Sequence, residues 1–342
     1  MITQAKQAPL RILIVSDAWS PQINGVVVTL RNTIRELAGM GHDVATLTPE
    51  GFRTIPCPTY PEIRLSLMPG RRVASQIDAF APHALHIATE GPLGLAARRH
   101  CLRTRRSFTT AYHTQFPEYI HARVRLPVGL SYRWMRWFHD PAASLMVATA
   151  DIRRRLAARG FGNLAMWSRG VDTELFHPEG RTAHDVERPV FLYAGRVAVE
   201  KNLEAFLSLD LPGTKWVVGD GPARYELQRR FPKAVFFGMK VGEDLAWFYR
   251  HADAFVFPSR TDTFGLVMLE AMASGTPVAA FPVTGPIDVV KAGVSGVLRD
   301  DLRDAALAAL DLPREQVRAH AIESSWARCT RQFLANLHPV HA

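Results

Sequence analysis

The sequence predicts an α/β protein of two Rossmann-like, doubly wound parallel-sheet domains facing a cleft, and three observations predict it. Two series of short β-branched and aliphatic runs alternate with helix-length segments. A polar, aperiodic stretch separates the series. The 342 residues also exceed what one ordinary core needs.

The first series is Arg11–Ser16, Asp43–Thr48, Ala84–Ala88, Ser107–Tyr112 and Ser144–Thr149. The second is Val190–Ala194, Trp216–Val218, Ala234–Phe237, Ala254–Phe257, Val278–Phe281 and Gly296–Leu298. Between them Asp172–Val186, with Pro178 and Gly180 and no periodicity, reads as the linker. This sets domains over 1–178 and 179–320, followed by a C-terminal segment over 321–342. Asp304–Leu310 and Arg314–Leu337 have helical patterns, the latter anchored by Trp326, Phe333, Leu334 and Leu337. In such folds the carboxyl ends of both sheets meet at a crevice, and ligands bind there.

Composition narrows the classes. Hydrophobic residues make up 47% and charged ones 21%, ordinary for a globular protein without low-complexity tracts. No run approaches the roughly 20 apolar residues of a spanning helix, and the apolar stretch near the N-terminus reads as a buried strand. Cys57, Cys101 and Cys329 lack C-x-x-C spacing, which suggests neither a zinc site nor a disulfide framework and fits a reducing cytoplasm. The net charge of +9 lies in the first half: residues 1–180 hold 22 Lys and Arg against 13 Asp and Glu, whereas residues 181–342 hold 19 of each. Such a field favours a polyanion, either nucleic acid or an anionic membrane.

Val190–Ala194 leads into Gly195-Arg196, with Lys201 five residues further on. A glycine turn and two cations at a strand's carboxyl end suit a diphosphate: Arg offers a planar fork and Lys a movable point charge. Solvated charge beside a helix start is the plain alternative. After Ala254–Phe257 comes a loop that reads as becoming a helix at about Phe264 and stopping at Gly275-Thr276-Pro277. The N–H groups of Phe264, Gly265 and Leu266 would face sugar hydroxyls or phosphate oxygens. Asp262 and Glu270, with seven residues between them, put one carboxylate on the loop and one in the helix. Glu270 stands in an apolar run, where an unpaired acid is costly. Capping by Asp262 and a solvated Glu270 are the alternatives.

Together these residues resemble the retaining glycosyltransferases of family 4, which have the double-Rossmann architecture called GT-B. Arg196 and Glu200-Lys201 look like that family's diphosphate grip, and Asp262 through Glu270 looks like its E-x7-E signature, with Asp where the family usually has Glu. Trp19 through Val26 resembles the first-domain glycine loop, in which Gly25 would let the backbone approach the donor phosphates. Tyr112-His113-Thr114 resembles the segment whose histidine faces the donor sugar, and Gly219-Asp220-Gly221-Pro222 resembles the G-D-G-P turn. Trp326 resembles an aromatic in the C-terminal helix that crosses back to the first domain.

The resemblance implies roles. His113 would contact the sugar and steady its developing positive charge. Arg196 and Lys201 would hold the diphosphate, Glu270 would bind the ribose hydroxyls, and Asp262 would orient the sugar. With no obvious nucleophile, retention implies front-face attack, the leaving diphosphate taking the acceptor's proton. The chain has no D-x-D, so no metal is expected in the reaction.

Two features bear on the acceptor. Arg98 through Arg106 is a basic cluster, and His121–Phe138 interleaves Arg123, Arg125, Arg133 and Arg136 with Trp134 and Trp137, a pattern suited to a headgroup interface. A core helix with a solvated face is the alternative. Trp167-Ser168-Arg169-Gly170, Phe176-His177-Pro178 and Thr261 through Gly265 are similar to bacterial glycolipid-forming members: diacylglycerol glycosyltransferases, sulfoquinovosyltransferases and GDP-mannose-dependent mannosyltransferases. A lipid acceptor such as diacylglycerol follows, with peripheral attachment to the inner face of the cytoplasmic membrane. A saccharide, lipopolysaccharide or exopolysaccharide acceptor is the alternative. Glucose or glucuronic acid from a UDP-sugar, or mannose from GDP-mannose, all fit as donor. Arg169, near the domain junction, either pairs with an acidic donor sugar or braces the linker. A nucleic-acid binder would need a recognition helix or an aromatic RNA-binding sheet motif, and the sequence has neither. A phosphorylase would need a lysine carrying pyridoxal phosphate and a longer chain.

Overall fold

The computed structural model describes residues 8–20, 22, 24–57, 60–113, 127–182 and 185–341. It divides into two compact units. One holds the described residues up to His113, Pro127–Ser168 and the chain from Ala327; the other holds Arg169–Trp326.

The first unit runs β1 (Arg11–Val15), α1 (Gly25–Gly39), β2 (Asp43–Leu47), β3 (Thr54–Cys57), β4 (Tyr60–Ser66), α2 (Gly70–Phe80) and β5 (Ala84–Ile87). It continues through α3 (Pro92–Thr104), β6 (Thr109–Tyr112), α4 (Val128–His139), β7 (Ser144–Val147), α5 (Ala150–Ala157) and β8 (Leu164–Met166). Its parallel sheet has the order β2-β1-β5-β6-β7-β8, and β3 and β4 form a separate antiparallel pair.

The second unit runs β9 (Val190–Ala194), α6 (Leu203–Leu207), β10 (Thr214–Val218), α7 (Arg224–Arg230), β11 (Val235–Gly238), α8 (Gly242–His251) and β12 (Ala254–Phe257). Then come α9 (Leu266–Ala273), β13 (Val278–Ala280), α10 (Pro286–Val289), β14 (Gly296–Leu298), α11 (Leu302–Ala309) and α12 (Arg314–Ile322). The sheet order is β11-β10-β9-β12-β13-β14, all parallel. The last helix, α13, spans Trp326–Ala335.

Both faces of the second sheet are covered. Val190, Leu192, Phe255 and Phe257 pack to one side, and Phe191, Tyr193, Ala254 and Val256 to the other. Strands buried on both faces need unbroken apolar runs, which is why this series is plain in the sequence.

Four boundaries differ from expectation. The units change over at Ser168/Arg169, ten residues before the expected boundary at 178, because Val171 and Phe176 pack into the second unit's core. Asp172 Oδ1 accepts from the N–H groups of Glu174 and Leu175 at 3.2 and 3.1 Å, so the expected linker begins as an ordered turn. The helix expected over 314–337 is two: the break holds Ser324 and Ser325, where the Val171 N–H donates to Ser324 O at 3.0 Å. The helix expected from Phe264 begins at Leu266. β3, β4 and the three-residue β8 go unseen in the sequence, since β3 and β4 carry Pro56 and Pro61 and β8 is short and half-buried.

Candidate active site

β9, at the centre of the second sheet, ends at Ala194, and the turn that begins at Gly195 is packed against the turn after β10. The Val197 N–H donates to Asp220 O at 2.9 Å and the Ala223 N–H to Val197 O at 3.1 Å. Gly219 has φ +136°, and a Cβ there would lie 1.8 Å from Gly195 O. That approach explains the glycine and fixes the Arg196 loop on the Gly219–Pro222 turn.

The same loop is tied to the segment after β12. The Tyr193 hydroxyl donates to Arg196 O at 2.7 Å, Asn202 Nδ2 to Pro258 O at 3.0 Å, and Thr261 Oγ1 to Glu200 O at 3.4 Å. These bonds bring two sequence-distant elements together at the carboxyl ends of adjacent strands. Across them Lys201 Nζ meets Asp262 Oδ1 at 2.6 Å, with side chains 21% and 14% exposed.

Gly265 caps α9 with φ +83°, and a Cβ there would come within 2.7 Å of Met268 Cε. The first helical bond runs from the Met268 N–H to Gly265 O at 3.0 Å, so the N–H groups of Leu266 and Val267 lie ahead of it. Phe264, Gly265 and Leu266 are half-buried. Glu270 is the fifth residue of the helix. Its carboxylate accepts from the Tyr249 hydroxyl at 2.9 Å. Glu270 as a whole is half-buried, yet desolvation pushes its pKa up to about 7, and the Tyr249 hydrogen bond opposes that rise.

The second unit therefore places Arg196, Lys201 and Asp262 on loops that follow adjacent strands of one sheet, with Glu270 in the helix that the Asp262 loop leads into. It joins Lys201 directly to Asp262 and leaves Glu270 with Tyr249, a residue no motif marks because it is one aromatic among several on α8. Arg169, 5% exposed, is buried where the chain enters this unit.

Within the first unit, His113 follows β6, with its ring edge-on to the buried Trp167 at 5.5 Å. Gly25 is the first residue of α1, and Asn24 Oδ1 accepts from Val26 and Val27 at 3.0 and 3.1 Å, so a side chain already caps that helix. Sequence reading also misses Asp17. It is buried at the end of β1, accepts from the Leu93 and Gly94 N–H groups at 2.9 and 3.2 Å, and has a pKa raised by burial.

On α4, Arg133, Arg136, Leu130 and Trp137 are exposed, the last two by 54% and 52%. Trp134 is half-buried against Phe138. Arg98 of α3 stacks on Trp137 at 4.0 Å and donates to the carbonyls of Trp137 and Phe138 at 2.7 and 2.9 Å, which fixes the helix end. The cluster from Arg98 to Arg106 is thus not uniform: Arg98 is buried and Arg106 pairs with Asp78, while Arg99, Arg103 and Arg105 are exposed. Arg123 and Arg125 lie outside the described residues. Among the described residues no helix is long and apolar enough to cross a membrane.

Residues 23–175 match the family model Glycosyltransferase Family 4, and residues 188–313 match Glycosyl transferases group 1. The chain is 33% identical to the sulfoquinovosyl transferase SQD2 of Arabidopsis thaliana over 82% of its own length and 61% of that protein's. It is 30% identical to a GDP-mannose-dependent alpha-mannosyltransferase of Mycolicibacterium smegmatis, covering 85% and 84%. It is 26% identical to the alpha-monoglucosyldiacylglycerol synthase of Streptococcus pneumoniae, covering 79% and 71%. The sucrose-phosphate synthase structure from Thermosynechococcus elongatus superposes with a TM-score of 0.77 at 21% identity, covering 95% and 98%, and shares the fold. With both halves matched and the paired loops in place, the chain belongs to the family 4 glycosyltransferases of GT-B fold and is a nucleotide-sugar-dependent hexosyltransferase.

Proposed function

We propose that this enzyme transfers a hexose from a nucleotide-diphosphate sugar to a lipid acceptor of the diacylglycerol type, with retention and without a metal. The observation that carries the donor half is the Lys201–Asp262 contact beside the Arg196 loop. The bond from the anomeric carbon to the diphosphate oxygen breaks while the acceptor oxygen bonds on the same face, and the acceptor's proton passes to the diphosphate. Negative charge grows on the leaving group, where Arg196 and the Lys201 ammonium oppose it. Lysine has three donors, so Lys201 can hold a phosphate oxygen while Asp262 keeps its position. Asp262 then orients the sugar, Glu270 takes the ribose hydroxyls, and the leading N–H groups of α9 face the donor. His113 steadies the charge on the sugar.

The acceptor half is supported by the α4 face, where exposed Leu130 and Trp137 flank Arg133 and Arg136, a chemistry suited to an anionic headgroup layer. The diacylglycerol product in the name of the pneumococcal relative points the same way. Peripheral attachment to an anionic membrane surface follows. UDP-glucose, UDP-glucuronate and GDP-mannose are the donors to test.

The test is product analysis by mass spectrometry and proton NMR after incubation with each donor and dioleoylglycerol vesicles, with and without EDTA. An α-glycosyl lipid formed equally in both is expected. A β-linked product, or an absolute Mg²⁺ or Mn²⁺ requirement, would overturn the mechanism.

A further inference from the structure

Tyr249 is fully buried on α8, its ring edge-on to Phe176 at 5.6 Å and tilted against Phe255 at 5.6 Å. Its backbone is also held: Thr276 Oγ1 donates to Tyr249 O at 2.6 Å and accepts from Arg314 Nη2 at 3.0 Å. A phenylalanine would fill the same space, so the hydroxyl is the part that packing does not explain. It donates to Glu270 Oε2 at 2.9 Å.

We infer that Tyr249 is a positioning residue of the donor site: it fixes one oxygen of Glu270, so that the other oxygen receives a hydroxyl of the nucleotide's ribose. The inference rests on the donor-site reading above. Phe176, from the Phe176-His177-Pro178 motif, acquires a role here as one wall of the tyrosine's slot.

Most charged groups on the surrounding elements have partners of their own. On α12, Arg314 donates to the carbonyls of Arg250, Ala252 and Ser274, and Arg318 donates to those of Phe176 and Ala273. His320 of α12 has a pKa lowered by burial. On α8, Arg250 pairs with Glu243 at 2.7 Å and His251 meets Thr182 and Trp247 O. Asp288 sits in the first turn of α10, and Asp262 pairs with Lys201. Tyr193 of β9, near enough to act on Tyr249, donates to Arg196 O. Among the described residues, the Tyr249 hydrogen bond is what lowers the Glu270 pKa against its burial.

The experiment is calorimetric titration of UDP and GDP from pH 5.5 to 9 into wild type, Tyr249→Phe, Glu270→Gln and the double variant. Tyr249→Phe should weaken binding about tenfold at neutral pH, as loss of a hydrogen bond to a charged group implies. It should also move the pH midpoint upward, with affinity largely regained at pH 9. In the Glu270→Gln background it should change affinity less than about twofold. Fluorotyrosine at 249, a stronger donor, should move the midpoint downward, and this arm holds even if the phenylalanine variant folds poorly. Equal weakening at every pH, or an unmoved midpoint in both variants, would overturn the inference while leaving the donor site intact. Binding by Glu270→Gln equal to that of wild type would remove the donor-site reading and the inference with it.

Discussion

Lys201 Nζ and Asp262 Oδ1 lie 2.6 Å apart although 61 residues separate them in the chain. With both side chains largely shielded, this is a held pair rather than a loose surface contact. It gives the shorter acid a consequence: Asp262 reaches the lysine directly. Lys201→Ala should raise the donor KM at least about tenfold, the scale of a charge-assisted bond. Asp262→Ala should leave affinity for the free nucleotide diphosphate unchanged or stronger and lower turnover, because it frees the ammonium but removes the group that orients the sugar. Steady-state kinetics beside nucleotide titration separates the two.

Donor binding should strengthen as pH rises through about 7. Glu270 is an acid whose folded pKa is raised by burial, so below that value it is largely protonated and above it carries the charge that accepts ribose hydroxyls. For stability the sign is opposite: the ionised form is penalised in the fold, so a cost appears as pH climbs from the unfolded carboxyl range toward 7. Glu270→Gln should remove both trends, read by nucleotide titration and by thermal unfolding at pH 5 and pH 8.

Gly219→Ala should cost about 2–4 kcal/mol, the range of severe backbone conflicts, because the new Cβ would meet Gly195 O at 1.8 Å. The displaced turn carries Arg196, so nucleotide affinity should fall together with the thermal midpoint. Gly39→Ala, where no atom lies within 4 Å, is the matched control and should be close to neutral in both.

The second sheet and its loops were legible because buried strands impose apolar runs and because phosphate chemistry selects cations after a strand. The Lys201–Asp262 contact was not, since a motif names residues without saying which side chains meet. Tyr249 was invisible because its partner lies on another helix. The domain boundary lies earlier than 178 although Asp172–Gly180 is polar in composition, because Leu175 and Phe176 within that stretch and Val171 just before it pack on the second unit's core.

Flotation with anionic liposomes should find the protein bound at low salt and released as salt rises. Arg133→Ala and Arg136→Ala should each weaken binding about fivefold, near 1 kcal/mol per cation at the surface. Trp137→Ala should weaken it at all salt concentrations. Arg229→Ala and Lys233→Ala, exposed on the second unit, should have no effect.

The measurement that bears most directly on the donor site is a hydrolysis and transfer screen with UDP- and GDP-sugars, with and without dioleoylglycerol vesicles. Wild type should consume one donor class and transfer its sugar when the lipid is present, and Lys201→Ala and Glu270→Ala should each slow that consumption at least about tenfold at donor concentrations below the wild-type KM. Donor turnover under those conditions that neither substitution changes would contradict the assignment.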